Sequence, residues 1–304
     1  MGNASVAATP AKVRLALNWF PEAEHGGYYA AQSGGEFKSR GLDVEILPGG
    51  PDAPVIQRVA LGQVDFGVAN ADDVLNARAQ EAPVVAVFAP LQVNPRCIMV
   101  HADSKITGIA ELHDLTLALS PRPAFSHYLR KKFPFQGVRF VPYQGSIAAF
   151  LADANMAQQA YVFSEPYLAR QQGADVKTLL VADIGFNPYA SVLIVSEATL
   201  RERPEVVRAM AQASREGWRR YIADPEPANA LIQRLNPEMD PGALKHGAEA
   251  LKELVLDASA RQAGLGHMTL ERWNTLATQM AEAGLLKIET LRTQEAFSTK
   301  FLAP

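Results

Sequence analysis

Strand-like and helix-like segments alternate regularly between residues 13 and 195, and this alternation narrows the choice of fold more than any other feature. Short apolar runs predict strands at residues 13–17, 44–47, 66–69, 84–88, 98–101, 115–119, 138–142, 160–163, 177–181 and 191–195. Helical patterns fall between most of them, near residues 28–33, 55–61, 73–80, 125–132, 147–152 and 167–172. The alternation predicts an α/β protein with mostly parallel sheets flanked by helices.

The pattern changes after residue 198, where the chain predicts helices and no further strand up to residue 304. In the helix after Pro204, residues of one face recur every three or four positions, namely Val207, Met210, Ser214, Trp218 and Tyr221. This helical region is too small to hold a large core of its own. We therefore expect it to pack on the first part of the chain, with Trp218 in the core.

Composition excludes several classes of protein. The 304 residues are enough for two lobes, and 48% hydrophobic with 20% charged residues is typical of a globular protein. A net charge of −3 gives no reason to expect nucleic acid as a partner. The single cysteine, Cys97, excludes an intramolecular disulfide and a cysteine-based metal cluster.

Residues 18–31 connect the first predicted strand to the first predicted helix. In an α/β sheet such a connection lies at the carboxyl end of the strand, where ligands bind. It carries Asn18, Trp19, His25 and Tyr28, whose flat or hydrogen-bonding side chains suit a planar polar ligand. The alternative is that Trp19 and Tyr28 pack in the core and that His25 caps the helix.

The same stretch carries a resemblance to a known family. The residues that carry it are Asn18-Trp19, Pro21, His25-Gly26 and Tyr28, together with residues 35–37, 41–44 and 62–68. They resemble the NMT1/THI5-like family, which comprises bilobed solute-binding proteins of ABC importers and a eukaryotic pyrimidine synthase. Many of these binding proteins take thiamine-pyrimidine precursors, and some take flavins or other small solutes.

The resemblance implies a two-lobed fold of the type II periplasmic-binding-protein kind. Lobe one is then discontinuous, with residues 12–100 and 196–304, and lobe two is residues 101–195. Residues 1–11 form a flexible N-terminal spacer, and the helical C-terminal region packs on lobe one. Two crossings between lobes make a hinge that closes around a ligand.

The implied partners follow from the same resemblance. They are a small heterocyclic ligand and the membrane permease of an ABC importer, with no cofactor and with the receptor as a monomer. The implied location is periplasmic, or extracytoplasmic and membrane-anchored. Since residues 1–11 lack the basic and apolar regions of a signal peptide, we expect an export signal or lipid anchor to have been removed.

Two further loops of lobe one carry candidate ligand-binding residues. Asn70 and Asp72 follow the strand at 66–69, where either would also serve as a helix N-cap. Gln92 follows the strand at 84–88, and turn formation is its alternative role.

Lobe two contributes Ser120, Arg122, Tyr143 and Glu165 at its predicted strand ends, and Tyr189 just before the return crossing. Arg122 either holds an anionic group or is solvated between its two prolines. Tyr143 is placed to stack on a ring, and Tyr189 to close over the ligand. Glu165 belongs to a Glu-Pro pair that the family carries here. The Gly-x-x-Asp-Ala-like segment that usually precedes this pair is replaced by residues 155–160.

The candidate acids of the cleft outnumber its bases. Against Arg122 as the one candidate base stand Glu22, Glu24, Asp72, Asp73 and Glu165. A site rich in acceptors suits a ligand with amino groups, because an unpaired buried acceptor is costly. An aminopyrimidine therefore fits better than nitrate or a sulphonate.

Enzymatic chemistry finds little support in the sequence. The nucleophile-elbow, zinc, P-loop and Rossmann motifs are absent, and the histidines show no metal-ligand spacing. The resembled synthase holds pyridoxal phosphate on a lysine, where this chain has Ala69, and carries clustered cysteines, where it has Cys97 alone. The sequence predicts a non-enzymatic receptor without a metal site. Its alternatives are a synthase-like enzyme, a receptor for riboflavin or a small anion, and a sensing module.

Overall fold

The computed structural model describes residues 9–287 and 291–302, and its named strands form two five-stranded sheets, one in each lobe. Lobe one contains β1 (Ala11–Ala16), β2 (Leu42–Leu47), β3 (Phe66–Ala69), β4 (Val84–Phe88) and β10 (Val192–Ser196). Lobe two contains β5 (Arg96–His101), β6 (Thr116–Ala118), β7 (Arg139–Val141), β8 (Met156–Tyr161) and β9 (Val176–Leu180). Their spatial orders are β2-β1-β3-β10-β4 and β7-β6-β8-β5-β9.

Each sheet contains one strand that runs against the other four. In lobe one β10 is antiparallel to β3 and β4, while β1 is parallel to β2 and β3. In lobe two β5 is antiparallel to β8 and β9, while β6 is parallel to β7 and β8. These two strands are the first that the chain forms after entering a lobe. The prediction of mostly parallel sheets is confirmed, with the entering strand as the exception in each.

The two crossings lie earlier than predicted. Because β5 belongs to the second sheet, the chain leaves lobe one between residues 88 and 96, and the predicted boundary at residue 101 is wrong. Because β10 belongs to the first sheet, the return falls between residues 180 and 192 rather than at 195. An apolar strand has the same sequence pattern in either lobe, so periodicity could not assign β5 or β10 to its lobe. Of the predicted spacer, residues 1–8 lie outside the described residues, and Ala11 already belongs to β1.

Every predicted strand overlaps an observed one, although β8 begins four residues before its prediction at 160–163. Gln158 and Gln159 are buried in β8, and these polar residues concealed the strand pattern. The segment that departs from the family pattern, residues 155–160, is therefore mostly this strand.

Helices cover both sheets. Along the chain they are α1 (Gly26–Ser33), α2 (Glu36–Ser39), α3 (Val55–Ala60), α4 (Ala71–Ala79), α5 (Ala124–Lys132), α6 (Ala148–Ala152), α7 (Glu165–Gln171), α8 (Glu197–Glu202), α9 (Pro204–Ala223), α10 (Glu226–Leu235), α11 (Pro241–Val255), α12 (Ala258–Ala263) and α13 (Leu270–Glu282). Side-chain N-caps start several of the later helices, at Ser196, Asp240, Asp257 and Thr269. Among the described residues, no helix has the length and apolar character needed to cross a membrane.

The helical C-terminal region packs on lobe one, as predicted. Its longest helix, α9, lies against α1, and the rings of Trp218 and Tyr28 meet edge to face at 6.3 Å between centroids. The backbones approach closely, because a Cβ added to Gly217 would lie 2.1 Å from the carbonyl oxygen of Gly27. This packing fixes the helix that follows the β1 loop, and hence the position of the loop itself.

Candidate functional site

Loops of the two lobes face each other across a cleft. A cavity of about 380 Å³ opens where the loop after β1 meets the loop after β8, with the α10–α11 connection on its third side. Its walls include the apolar side chains of Phe20, Phe163 and Leu168, and the carboxyl group of Glu22 reaches into the same region.

A guanidinium group of lobe two is held between two aromatic rings. Arg96, the first residue of β5, has its Cζ atom 4.6 Å from the ring centroid of Phe125 and 4.8 Å from that of Tyr161. The Tyr161 ring in turn stacks on Phe163, with centroids 5.2 Å apart. Stacking between two rings holds a guanidinium in one orientation. Arg96 is thus a fixed positive charge rather than a mobile surface arginine.

Carboxyl groups of lobe one face this charge. Glu24 and Asp72 are 4% and 7% exposed, so both are buried. The guanidinium pKa of Arg96 is raised, because the neighbouring Tyr161, Asp72, Asp73 and Glu24 outweigh the effect of burial. The positive charge of Arg96 therefore compensates part of the negative charge of these carboxyl groups.

Ser191 forms hydrogen bonds with two other segments of lobe one. Its hydroxyl donates a short hydrogen bond to Oε1 of Glu24, and its backbone N–H donates to Oδ1 of Asn70 at 3.3 Å. Its φ of 54° lies in the left-handed region, which is unusual for a serine. These two contacts join the loop after β1 and the end of β3 to the start of β10.

Burial raises the pKa of several cleft carboxyls. The pKa of Glu22 lies well above its ordinary value because of burial and of the neighbouring Glu24 and Glu165. Burial also raises the pKa of Asp72, against the opposing effect of Arg96. Burial and the Asp72 carboxylate raise the pKa of Asp73 to about 7, although solvent still reaches that side chain. A hydrogen-bond donor or positive charge placed between these carboxyls would stabilise their ionised form.

Glu165 is held in place within lobe two. The hydroxyl of Tyr143 donates to its Oε1 at 2.6 Å, and the backbone N–H of Tyr161 donates to its Oε2 at 2.8 Å. Tyr143 and Glu165 thus lie together beside the ring that supports Arg96. Their contact with a ligand stays a prediction.

The loop after β1 exposes Trp19 and buries His25. Trp19 is 39% exposed and meets Phe20 edge to face at 5.6 Å, so part of its side chain is accessible to a ligand. His25 is fully buried, its Nε2 lies 2.9 Å from Oδ1 of Asn18, and burial lowers its pKa. The prediction that His25 contacts a ligand is wrong, since this neutral ring positions the Asn18 side chain instead.

Three more predicted contacts are wrong because the side chains belong to the interior. Tyr28 is fully buried against Trp218. Gln92 is fully buried, and its Nε2 donates to the carbonyl oxygens of Ala89 and His267, each at 2.9 Å. Tyr189 is 2% exposed and lies under the guanidinium of Arg272, 3.9 Å from ring centroid to Cζ. All three side chains stabilise the interior of the protein and do not face a ligand.

The two remaining candidates lie before α5. The backbone N–H of Ser120 donates to Oε1 of Gln159 at 2.6 Å, so that this loop is anchored to β8. Arg122 is exposed, which agrees with the solvated alternative for this side chain.

A family model for NMT1/THI5-like proteins matches residues 22–228, from the loop after β1 to α10. The chain belongs to the NMT1/THI5-like family. The match includes lobe two, part of lobe one and the acidic residues of the cleft.

Named relatives of this NMT1/THI5-like chain include two binding proteins. Riboflavin-binding protein RibY of Chloroflexus aurantiacus is 28% identical over 96% of this chain and 86% of its own length. Formylaminopyrimidine-binding protein of Halalkalibacterium halodurans is 25% identical over 94% of this chain and 89% of its own. A 4-amino-5-hydroxymethyl-2-methylpyrimidine phosphate synthase of Saccharomyces cerevisiae is 27% identical over 71% of this chain and 69% of its own.

The fold has close counterparts among solved structures. The periplasmic aliphatic sulphonate-binding protein SsuA of Escherichia coli superposes with a TM-score of 0.74 at 14% identity, over 95% of this chain and 92% of SsuA. At that identity the likeness concerns the fold alone. The predicted periplasmic-binding-protein-like fold is confirmed.

The residue that sequence reasoning missed is Arg96. The strand prediction began at residue 98 and left Arg96 in the preceding loop, so that Arg122 stood as the one candidate base. A charged residue at the first position of an otherwise buried strand was the available signal, because such a position opens onto the sheet edge. In this NMT1/THI5-like chain that edge lines the cleft.

Proposed function

We propose that this chain is the solute-binding receptor of an ABC importer. It captures a small planar heterocycle with amino groups between its lobes, and it carries out no chemistry on it. The observation that carries this proposal is the pair of buried carboxyls, Glu24 and Asp72, that interact with the stacked guanidinium of Arg96, together with the cleft carboxyls of Glu22 and Glu165.

The charge balance favours amino groups on the ligand. Carboxyls withdrawn from water are costly unless hydrogen bonds or positive charges compensate them. The raised pKa of Glu22, whose largest cause is burial, indicates that the neighbouring protein groups do not fully compensate its carboxylate. An aminopyrimidine supplies donors at the edge of a flat ring, and the exposed part of the Trp19 side chain is available for stacking. The formylaminopyrimidine-binding and riboflavin-binding relatives are named for ligands with flat rings.

Two residues speak against the synthase alternative. Ala69 ends β3 at the position of the synthase lysine, so this position offers no amine for a Schiff base. Cys97 is fully buried, its Sγ donates to the carbonyl oxygen of Ala160 at 3.5 Å, and burial raises its thiol pKa well above the ordinary value. Such a thiol is a packing group rather than a nucleophile.

Closure of the lobes connects binding to transport. A ligand that contacts Glu165 on one side and Trp19 on the other stabilises the closed form, which a membrane permease then recognises. The protein is then a periplasmic or membrane-anchored extracytoplasmic monomer. The solute passes from receptor to permease unchanged.

The test is a thermal-shift and tryptophan-fluorescence screen of the purified protein. The ligands are aminopyrimidines, thiamine, riboflavin, pyridoxal phosphate and small anions. A ligand that binds the native state raises the melting temperature with its concentration. We expect stabilisation by an aminopyrimidine or a flavin, with quenching of Trp19 that is absent in Trp19→Phe. Stabilisation by pyridoxal phosphate alone, with a new absorbance band, would support the enzyme instead.

A further inference from the structure

A tyrosine of lobe two contacts the helical region that packs on lobe one. Tyr167 lies in α7, which follows β8, and its hydroxyl donates a 2.9 Å hydrogen bond to Oδ1 of Asp240, the N-cap of α11. Its ring also stacks on that of His246 in α11, with centroids 5.3 Å apart and planes inclined by 25°. One side chain therefore joins the two lobes through two separate contacts.

The residues that receive Tyr167 are fixed within lobe one. Oδ1 of Asp240 also accepts the backbone N–H of Ala243 at 2.8 Å, which holds the carboxylate at the start of α11. In the connection before this helix, Nδ2 of Asn236 donates at 3.0 Å to the carbonyl oxygen of Pro21, in the loop after β1. The α10–α11 connection is thus attached to lobe one at Asn236 and to lobe two at Asp240.

Gly242 provides the space for the Tyr167 hydroxyl. A Cβ added to this second residue of α11 would lie 2.1 Å from Oη of Tyr167, far inside van der Waals contact. The hydroxyl therefore occupies the volume that a side chain at position 242 would take. Leu168 and Asp240 line the cavity of about 380 Å³, so the contact between the lobes lies at the rim of this cavity.

We propose that Tyr167 is a positioning residue that holds the two lobes together across this cavity, through Asp240 and His246. The inference rests on the proposed function, because it assigns to one side chain part of the closure that retains the solute. Asp240 is exposed and Tyr167 is half-buried, so water can replace the hydrogen bond and its net contribution is modest. Such a contact favours the closed arrangement and still lets the lobes separate to release a solute.

The test measures the separation of the lobes in solute-free buffer. Spin labels on Gln172→Cys, in lobe two, and Glu253→Cys, in α11, report this distance by double electron–electron resonance, and both positions are exposed. Cys97 is fully buried, so the label reacts at the two introduced sites. Tyr167→Phe removes the hydrogen bond and keeps the ring. We expect the ratio of long to short distances to rise about two- to tenfold, as for the loss of one hydrogen bond.

Gly242→Ala tests the same contact from the side of α11. Its Cβ displaces the Tyr167 hydroxyl, although alanine itself favours the helix, so we expect the long distances to increase here too. Combined with Tyr167→Phe, the substitution no longer meets a hydroxyl and should add little to the effect of Tyr167→Phe alone. Non-additivity of this kind is the mark of a direct contact between two positions.

Tyr128→Phe is the matched control. The Tyr128 hydroxyl donates to the carbonyl oxygen of Ile184 at 3.3 Å, within lobe two, so its loss should leave the distance between the lobes unchanged. An unchanged distribution in Tyr167→Phe that is folded by circular dichroism would overturn the proposal, and so would an equal change in Tyr128→Phe. Since no solute is present, failure to bind heterocycles would count against the proposed function and leave this result independent.

Discussion

The backbone N–H of Asn94 donates a 2.7 Å hydrogen bond to Oδ1 of Asn187, and these two residues belong to the two segments that cross between the lobes. Nδ2 of Asn94 also donates to the carbonyl oxygen of Pro188 at 3.0 Å. Arg272 of α13 donates to Asn187 twice, to its carbonyl oxygen at 2.6 Å and to Oδ1 at 3.0 Å. The crossings are therefore joined to each other and to the helical C-terminal region.

Asn187→Ala should destabilise the protein by about 2 kcal/mol. The substitution leaves the Asn94 N–H without its acceptor and removes one of the two bonds from Arg272, and an unsatisfied buried donor costs roughly 1–3 kcal/mol. Urea unfolding monitored by circular dichroism measures the change. Asn274→Ala, an exposed residue of α13, is the control and should change the free energy of unfolding by less than about 0.5 kcal/mol. Equal effects of the two substitutions would show that the hinge contacts are not stabilising.

Trp19 and Tyr28 should give opposite results when replaced by alanine. Because the Trp19 side chain is partly exposed, Trp19→Ala should weaken heterocycle binding by about 1 kcal/mol or more and leave stability nearly unchanged. Because Tyr28 is fully buried, Tyr28→Ala should lower the free energy of unfolding by about 3 kcal/mol or more. Calorimetric titration and urea unfolding of both variants make the comparison. A Trp19→Ala protein that loses stability but keeps its affinity would place Trp19 in the core.

The architecture could be predicted from sequence because periodicity reports burial. The strands at 66–69 and 84–88 coincide with β3 and β4, whose residues are all buried, so a continuous apolar run identified them. Periodicity does not report which sheet a strand joins, and β5 and β10 were therefore assigned to the wrong lobes. It also failed at Gln158 and Gln159, where polar side chains are buried in β8.

The site could be predicted in part, through the loops at strand ends. That rule selected Trp19, Asp72 and Glu165, whose contact with a ligand stays a prediction, but it does not say which way a side chain points. Tyr28 lies one helical turn beyond the loop and faces α9, which follows about 190 residues later in the chain. Arg96 was missed for the opposite reason, since its role depends on rings of α5 and β8 that only the folded chain brings together.

Gly217→Ala should destabilise the contact between α9 and α1. A Cβ at this position would lie 2.1 Å from the carbonyl oxygen of Gly27 and 2.6 Å from Cβ of Ala31, so the helices would have to move apart. Overpacking of this kind costs about 1–3 kcal/mol, which exceeds the gain in helix propensity of about 1 kcal/mol. Differential scanning calorimetry should show a lower melting temperature. Arg219→Ala, an exposed change two residues further along α9, should leave the melting temperature nearly unchanged. A stabilised Gly217→Ala protein would contradict the close approach of the two helices.

The stability of the ligand-free protein should fall as the pH rises towards 7. The folded-state pKa of Asp73, about 7, lies above the ordinary aspartate value, so the folded protein binds this proton more tightly than the unfolded chain does. The contribution is complete below the unfolded pKa of about 3.9 and is lost as the pH rises through the folded value. Glu22, whose pKa is also raised, acts in the same direction.

Asp73→Asn isolates this contribution. Relative to wild type, its melting temperature should be higher at pH 8 than at pH 5 by roughly 1–3 °C, a modest amount because solvent reaches the side chain. Asp52→Asn, in an exposed loop, makes the same charge change away from the cleft and should run parallel to wild type at all pH values. If Asp73→Asn also ran parallel to wild type, the carboxyl would be ionised throughout this range. The cleft carboxyls would then carry no uncompensated free-energy cost, and the proposed ligand would have no such cost to relieve.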